Sequence, residues 1–432
     1  MTGIALGRGT WPVLPPDESR RALLGFANRM HHAQTMWTKG RGQIPVERVI
    51  DRFLSDSREV GCAAIGLNLR EGMASVRQNW LPLHTIILPV LGMATWLGIG
   101  KVGLEPMALV LAVVLLGNVI AAVHHAEVVA IRVGEPFGTL LLALAVTVIE
   151  VGLIISMMLG GKPNPALVRD SIHAVVMLVL HGLAGLCIVV GAFRQRETEF
   201  RVEGANAFLA VLLPMAVLVL VLPNYLLSVP GPFYSPLQLY FVSAACLGLY
   251  VAFLFIQTNW HRAFFLPVGE SDSAETHTHP GGRLFVASLM LLPVALLSVV
   301  LLAKSLAPAL EAGVAAAGAP LATVGVIIAV VVLLPEATAA VRAAARNQLQ
   351  TSINLALGSA VACIGLTVPT VALLSSWIDQ PLELGISGGA TVLMALGFVV
   401  AMITYGTGRT NLLSGVVHLV LLATYVFTVF AP

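Results

Sequence analysis

Residues 137–159, FGTLLLALAVTVIEVGLIISMML, carry a single charged side chain, Glu150, inside a run that is otherwise apolar. A run of about 20 apolar residues is the length that crosses a bilayer as a helix. In lipid a helix satisfies its own backbone, which excludes most other conformations. An acidic side chain near the centre of such a helix costs roughly 2.5–3.5 kcal/mol on insertion scales, so it is expected to be paired, protonated or used. The pattern recurs at residues 324–341, VGVIIAVVVLLPEATAAV, which carry Glu336.

These two runs belong to a series of eleven, at about 80–99, 105–124, 137–159, 168–192, 205–222, 236–257, 283–303, 320–341, 350–375, 384–404 and 410–430. The chain is 57% hydrophobic and 11% charged, with a mean hydropathy of +0.90, whereas soluble domains average about 25% charged residues. The expected fold is therefore an all-α polytopic membrane protein with about 11 transmembrane helices. Eleven parse as one leading helix (80–104) and two groups of five (105–257 and 283–432), joined by a cytoplasmic hinge loop at 258–282. An odd number of spans per group inverts the second group relative to the first. Glu150 and Glu336 then fall on the second helix of each group. Inverted repeats that meet at a substrate site in mid-membrane are a recurring plan of secondary transporters.

Lys and Arg in the connections set orientation. Arg132, Arg194, Arg196, Arg201, Arg262, Arg283, Arg342, Arg346 and Arg409 share one side, whereas Lys101, Lys162, Arg169 and Lys304 share the other. The N-terminus is expected inside and the C-terminus outside, in a cytoplasmic (inner) membrane. Residues 1–79 hold 11 of the 24 Lys and Arg residues and no run able to span. They read either as a cytoplasmic extension or as sequence upstream of a start at Met73. They show no basic–apolar–small pattern of a cleaved signal peptide, so the first span is expected to serve as the insertion signal. Cys62, Cys187, Cys246 and Cys363 are scattered without a CxxC pair, so neither a disulfide framework nor a zinc site is indicated.

Other polar residues in the spans suggest what surrounds the two acids. Thr147 lies three residues before Glu150, on the same helix face, and hard cations take oxygen ligands. Pro335 frees the carbonyl four residues back and is expected to kink or break its helix beside Glu336. Arg342 follows at about 9 Å along the helix axis. Asn354 and Ser359 are possible lining residues, followed by Thr367, Pro369 and Thr370; the alternative is that they let helices approach closely. His181 is a possible proton relay, or a histidine satisfied by a carbonyl. The segment 124–136, HHAEVVAIRVGEP, is expected to join two spans, with Glu127 and Arg132 as interfacial anchors. It lacks the HExxH spacing of a metalloprotease, and no enzyme activity is expected. Glu270, Asp272, Glu275, His277 and His279 sit in the hinge loop, where a metal sensor is the sharper reading and a solvated loop the plainer one.

Two stretches, HHAEVVAIRVGEPFGTLLLALAVTVIEV and LLPEATAAVRAAARNQLQTSINLALGSAVACIGLTVP, resemble the repeats of the calcium/cation antiporter superfamily. Within it they are similar to the calcium/proton exchanger group and its bacterial ChaA-type branch, as is the C-terminal YGTGRTNLLSGVVHLVLLATYVFTVFAP. The resemblance covers about residues 80–432. It implies a Gly-Asn-Ala-x-Glu core in each repeat whose Glu binds cation or proton, and Glu150 and Glu336 occupy those positions. Thr147 stands at the Asn position of the first core, and Leu333-Leu334-Pro335 at that of the second. This loss of side-chain oxygen loosens the expected selectivity for Ca²⁺ and fits exchange of Na⁺ and K⁺ as well. The expected partners are the lipid bilayer, inorganic cations and protons, with no nucleic acid and no cofactor. Two ionised carboxylates held together repel, and one Ca²⁺ or two protons neutralise them. The expected activity is thus proton-driven Ca²⁺ export by alternating access. A monovalent cation/proton antiporter, and in another class a cation channel, are the alternatives; channels usually build symmetric filter loops, and none stands out here.

Overall fold

The computed structural model describes residues 82–102, 108–134, 137–160, 164–266, 281–378 and 380–431. The hinge-loop acids and histidines at 270–279, and residues 1–79, lie outside the described residues apart from Phe265 and its neighbours at the start of the connection. Eleven helical spans follow one another: α1 (Leu83–Val102), α2 (Ala108–Val133), α3 (Phe137–Gly160), α4 (Leu167–Gln195), α5 (Val202–Leu220), α6 (Pro236–Trp260), α7 (Gly282–Ala316), α8 (Ala322–Ala345), α9 (Leu349–Ile378), α10 (Gly388–Tyr405) and α11 (Leu412–Phe430). Among the described residues nine of these are long and apolar enough to cross a membrane, and α1 and α3 contain the shorter apolar stretches Leu83–Gly98 and Ala145–Met158.

Their ends follow ordinary capping chemistry. Ser235 and Gln238 form a reciprocal capping box at the start of α6, with Pro236 in the first turn. Ser387 caps α10 and Asn411 caps α11, each side chain accepting from a backbone N–H in the first turn. The outward faces are apolar: on α11 only Gly415, His418, Leu421 and Tyr425 are buried, while Leu413, Val420 and Phe427 are exposed. That inverts the pattern of a soluble helix and suits a lipid surround.

Three boundaries differ from the sequence reading. Helix α7 runs through Pro308 to Ala316, 13 residues beyond the end expected at 303, so Lys304 lies in helix rather than in a connection. Helix α2 continues to Val133, so Glu127 and Arg132 project from its last turns instead of from a loop. Helix α8 runs unbroken through Pro335. A membrane helix tolerates a proline at the cost of the one bond its missing N–H would make to the carbonyl four residues back; in the turn beyond it Thr338 Oγ1 donates to the Pro335 carbonyl at 2.8 Å.

Helices α2–α6 and α7–α11 form two groups of five. Contacts between their connections are related by exchange of the groups. The strand β1 (Glu197–Glu199), after the third helix of the first group, pairs antiparallel with β2 (Arg409–Asn411), after the fourth helix of the second. At the other end of the bundle Phe233, after the fourth helix of the first group, bridges to Glu383, after the third helix of the second. Two further elements match. Helix α4 contains a π-turn at Leu178–Leu183 and α9 one at Cys363–Thr367. Each lies in the third helix of its group, and π-turns are frequent at functional sites. The acid-bearing helices cross over: α3 packs on the π-turn of α9, α8 packs on the π-turn of α4, and α3 and α8 pack on each other.

One of the close helix approaches in this frame is α8 on α4. A Cβ at Gly325 would lie 2.8 Å from backbone atoms of Asp170 and Ser171, which have no room to yield. Gly325→Ala is expected to cost about 1–3 kcal/mol by overpacking and to lower the melting temperature of the detergent-purified protein. Gly248→Ala, with nothing within 4 Å of the added carbon, serves as control; equal melting of the two variants would contradict this packing.

Candidate functional site

Glu150 sits on α3 and is 3% exposed; Thr147, one turn earlier, is buried on the same helix. The π-turn of α9 brings the other half to this carboxylate. Cys363 Sγ donates to Glu150 Oε1 at 2.6 Å, and the fully buried hydroxyl of Thr367 lies beside the same carboxylate. Glu336 projects from α8. It is half-buried overall, and its Oε2 is sealed from solvent without a hydrogen-bond partner. It stands within electrostatic reach of Glu150, and of Glu127 on α2. Glu127 is exposed and in turn within reach of Arg342.

The four charges therefore run from the buried Glu150 through Glu336 to Glu127 and Arg342 near the ends of α2 and α8. Like charges in a medium poorer than water repel strongly, and an ionised group left unpaired there is costly. The arrangement favours capture of a positive charge, either a metal cation or protons. Among the described residues no three His, Cys, Asp or Glu side chains close on one point as a metal cage. Two carboxylates supplemented by hydroxyl and backbone oxygen suit a hard cation that is bound and released.

The remaining candidates divide. Ser359 is half-buried on α9, four residues before Cys363 and so on the same helix face. Asn354 is occupied elsewhere: its Nδ2 donates to the Phe265 carbonyl at 2.6 Å, and its Oδ1 accepts from Gln350 Nε2 at 2.9 Å. The amide nitrogen thus ties the start of α9 to the turn at Arg262–Phe265, while its oxygen is held by Gln350 of the same helix. His181 lies in the π-turn of α4, with its Nδ1 at 2.9 Å from His418 Nδ1; His418 Nε2 meets Thr404 Oγ1 at 3.1 Å. The pair joins the two halves and has no described contact with Glu150 or Glu336. His173 packs edge-on against Tyr425. At the far end Arg169 bonds Asp170 at 2.9 Å and also pairs with Glu383, anchoring the start of α4 to the connection after α9. Cys363 was the residue hardest to find from sequence; its i+4 spacing from Ser359 was the available signal.

A family profile described as sodium/calcium exchanger protein matches residues 106–259 and 287–431, one match to each group of five helices. The chain is 43% identical to y4hA of Sinorhizobium fredii over 82% of its own length and 96% of the relative. It is 34% identical to the sodium-potassium/proton antiporter ChaA of Escherichia coli, covering 80% of this chain and 96% of ChaA. Among solved structures, native YfkE superposes with a TM-score of 0.63 at 18% identity, over 81% of this chain and 100% of YfkE, a likeness of fold.

The histidine pair yields a test. In His418→Leu, His181 would lose its ring partner inside the bundle, at a cost of roughly 1–3 kcal/mol. The expected result is a lowered melting temperature with cation-driven proton flux retained in the folded fraction. Lost flux at an unchanged melting temperature would instead make the pair part of a proton path.

Proposed function

The chain belongs to the sodium/calcium exchanger family, and on that premise we propose that it is a cation/proton antiporter whose site is the pair Glu150 and Glu336. The family is one of transporters rather than enzymes. One observation carries the reading: two acids, each on the second helix of a family-matched half, lie inside the bundle within electrostatic reach of each other. Nothing but a cation or protons neutralises that pair. A loaded site is crossable; the empty, doubly charged one is held back by the cost of burying charge. Exchange then follows from mutual exclusion, with the two inverted halves rocking around the site. The cargo is Ca²⁺ carried out of the cytoplasm as protons move in.

A second reading, exchange of Na⁺ and K⁺ for protons with little Ca²⁺ movement, is favoured by the 34% identity to a sodium-potassium/proton antiporter. The second core, where Leu333-Leu334-Pro335 offers no side-chain oxygen, supports it as well. Proton flux in reconstituted vesicles, titrated separately with CaCl₂, NaCl and KCl, decides between them. Glu150→Gln and Glu336→Gln are each expected to lower the cation-dependent flux at least about 100-fold, the equivalent of roughly 3 kcal/mol. Full activity in either variant would overturn the paired site, and cation flux persisting without any counter-ion would favour a channel.

The arginine asymmetry further supports an inner-membrane protein with its N-terminus in the cytoplasm and its C-terminus outside. A reporter fused after Pro432 is expected to be active only outside the cytoplasm if alkaline phosphatase and dark if a green fluorescent protein; the reverse would invert the assignment and the direction of transport.

A further inference from the structure

The two carboxylates differ in their surroundings, although the helices that carry them are related by exchange of the halves. Each acid-bearing helix packs on the π-turn of the opposite half. The turn facing α8 is LVLHGL, and its one polar side chain, His181, is engaged with His418. The turn facing α3 is CIGLT, and it presents Cys363 and Thr367 to Glu150. Glu336 Oε2 is left without a partner while Glu150 Oε1 accepts from a thiol at 2.6 Å. The Thr367 hydroxyl, fully buried, points to the same carboxylate and completes no hydrogen bond of good geometry.

We propose that Cys363 is a positioning residue for cation capture, holding the Glu150 carboxylate in one orientation across the interface between the halves, and that the Thr367 hydroxyl is the oxygen the second half adds beside it. This rests on the paired-glutamate reading and assigns the second half's side-chain contribution to that site.

A carboxylate on a long flexible side chain loses rotamer freedom when it binds a cation. A donor that fixes it beforehand reduces that loss, and hydrogen bonds to ionised acceptors are the strong ones. A thiol suits the task because it is a weak donor and a poor ligand for hard cations. It orients the oxygen without competing with the incoming ion. The π-turn supplies the geometry: by widening one turn of α9 it places residues 363 and 367 toward the same neighbour. Two side chains of the second half thereby address the acid of the first, so the site is assembled only when the halves meet.

The test uses the full chain reconstituted in vesicles, with the cation that supports flux among CaCl₂, NaCl and KCl. Cys363→Ala is expected to raise the KM for that cation about tenfold while the maximal rate changes less than threefold, the size expected for one hydrogen bond to a charged group. Cys363→Ser, which restores a donor of similar size, is expected to bring KM back to or below the wild-type value. Thr367→Val, equal in shape, is expected to raise KM by a similar factor. Cys246→Ala, a buried free thiol on α6 with no described hydrogen bond or charge interaction with either acid, controls for general loosening. Equal impairment of Cys363→Ala and Cys363→Ser, or an unchanged KM in Cys363→Ala, would overturn the proposal. If Cys363→Ala fails to fold, Cys363→Ser and Thr367→Val decide it through the same KM readout. Should Glu150→Gln retain full exchange, the paired-glutamate reading itself fails; should Glu150→Gln be inactive with Cys363→Ala like wild type, only this inference fails.

Discussion

An acidic side chain surrounded by hydrocarbon is unstable unless something answers its charge, and that constraint organises this fold. Glu150 is 3% exposed and sits on a helix whose described neighbours are almost all apolar. Its answer comes from α9, in the other half of the chain. Glu336 sits on the matching helix, and its nearest charges are the other acids. Neither carboxylate can be understood from its own half. The two five-helix groups therefore depend on each other at their most costly point, and a carrier that must bind and release at that point needs this dependence to be breakable.

The rest of the bundle keeps the halves in register around that point. One clasp at each end, β1 with β2 and Phe233 with Glu383, links corresponding connections. The ion pair of Arg409 with Glu199 at 3.1 Å adds to the first, and the pairing of Arg169 with Glu383 adds to the second. Between them the helices meet through small residues, as at Gly325 against the start of α4 and Gly397 against the His181 ring. Close backbone approach of this kind replaces the hydrophobic drive that lipid does not supply.

The number of spans, their order and the two acids were readable from the residues, because a lone carboxylate in an apolar run has no soluble explanation. The apolar runs also fixed which helices correspond. What the sequence hid was chemistry between distant positions. Cys363 reads as a small hydrophobe within an apolar run, and its contact with Glu150 emerges only when α9 is placed against α3. Asn354 reads as a lining residue, yet its amide satisfies the Phe265 carbonyl, an orphan of the connection that no periodicity reveals. Pro335 reads as a break, yet the helix continues through it, because losing one backbone bond is a cost a packed membrane helix can bear. Glu127 reads as an anchor at the surface, and its place next to Glu336 depends on how α2 crosses α8.

The central claim is that metal and proton compete for one pair of carboxylates. It is tested most directly by counting the protons released into weakly buffered solution when the transported cation is added to the detergent-purified protein, with no membrane and no gradient. Stoichiometric release from the wild-type chain, abolished in the Glu150→Gln, Glu336→Gln double variant, is the predicted result. Saturable cation binding to the wild-type protein without any proton release would contradict the account.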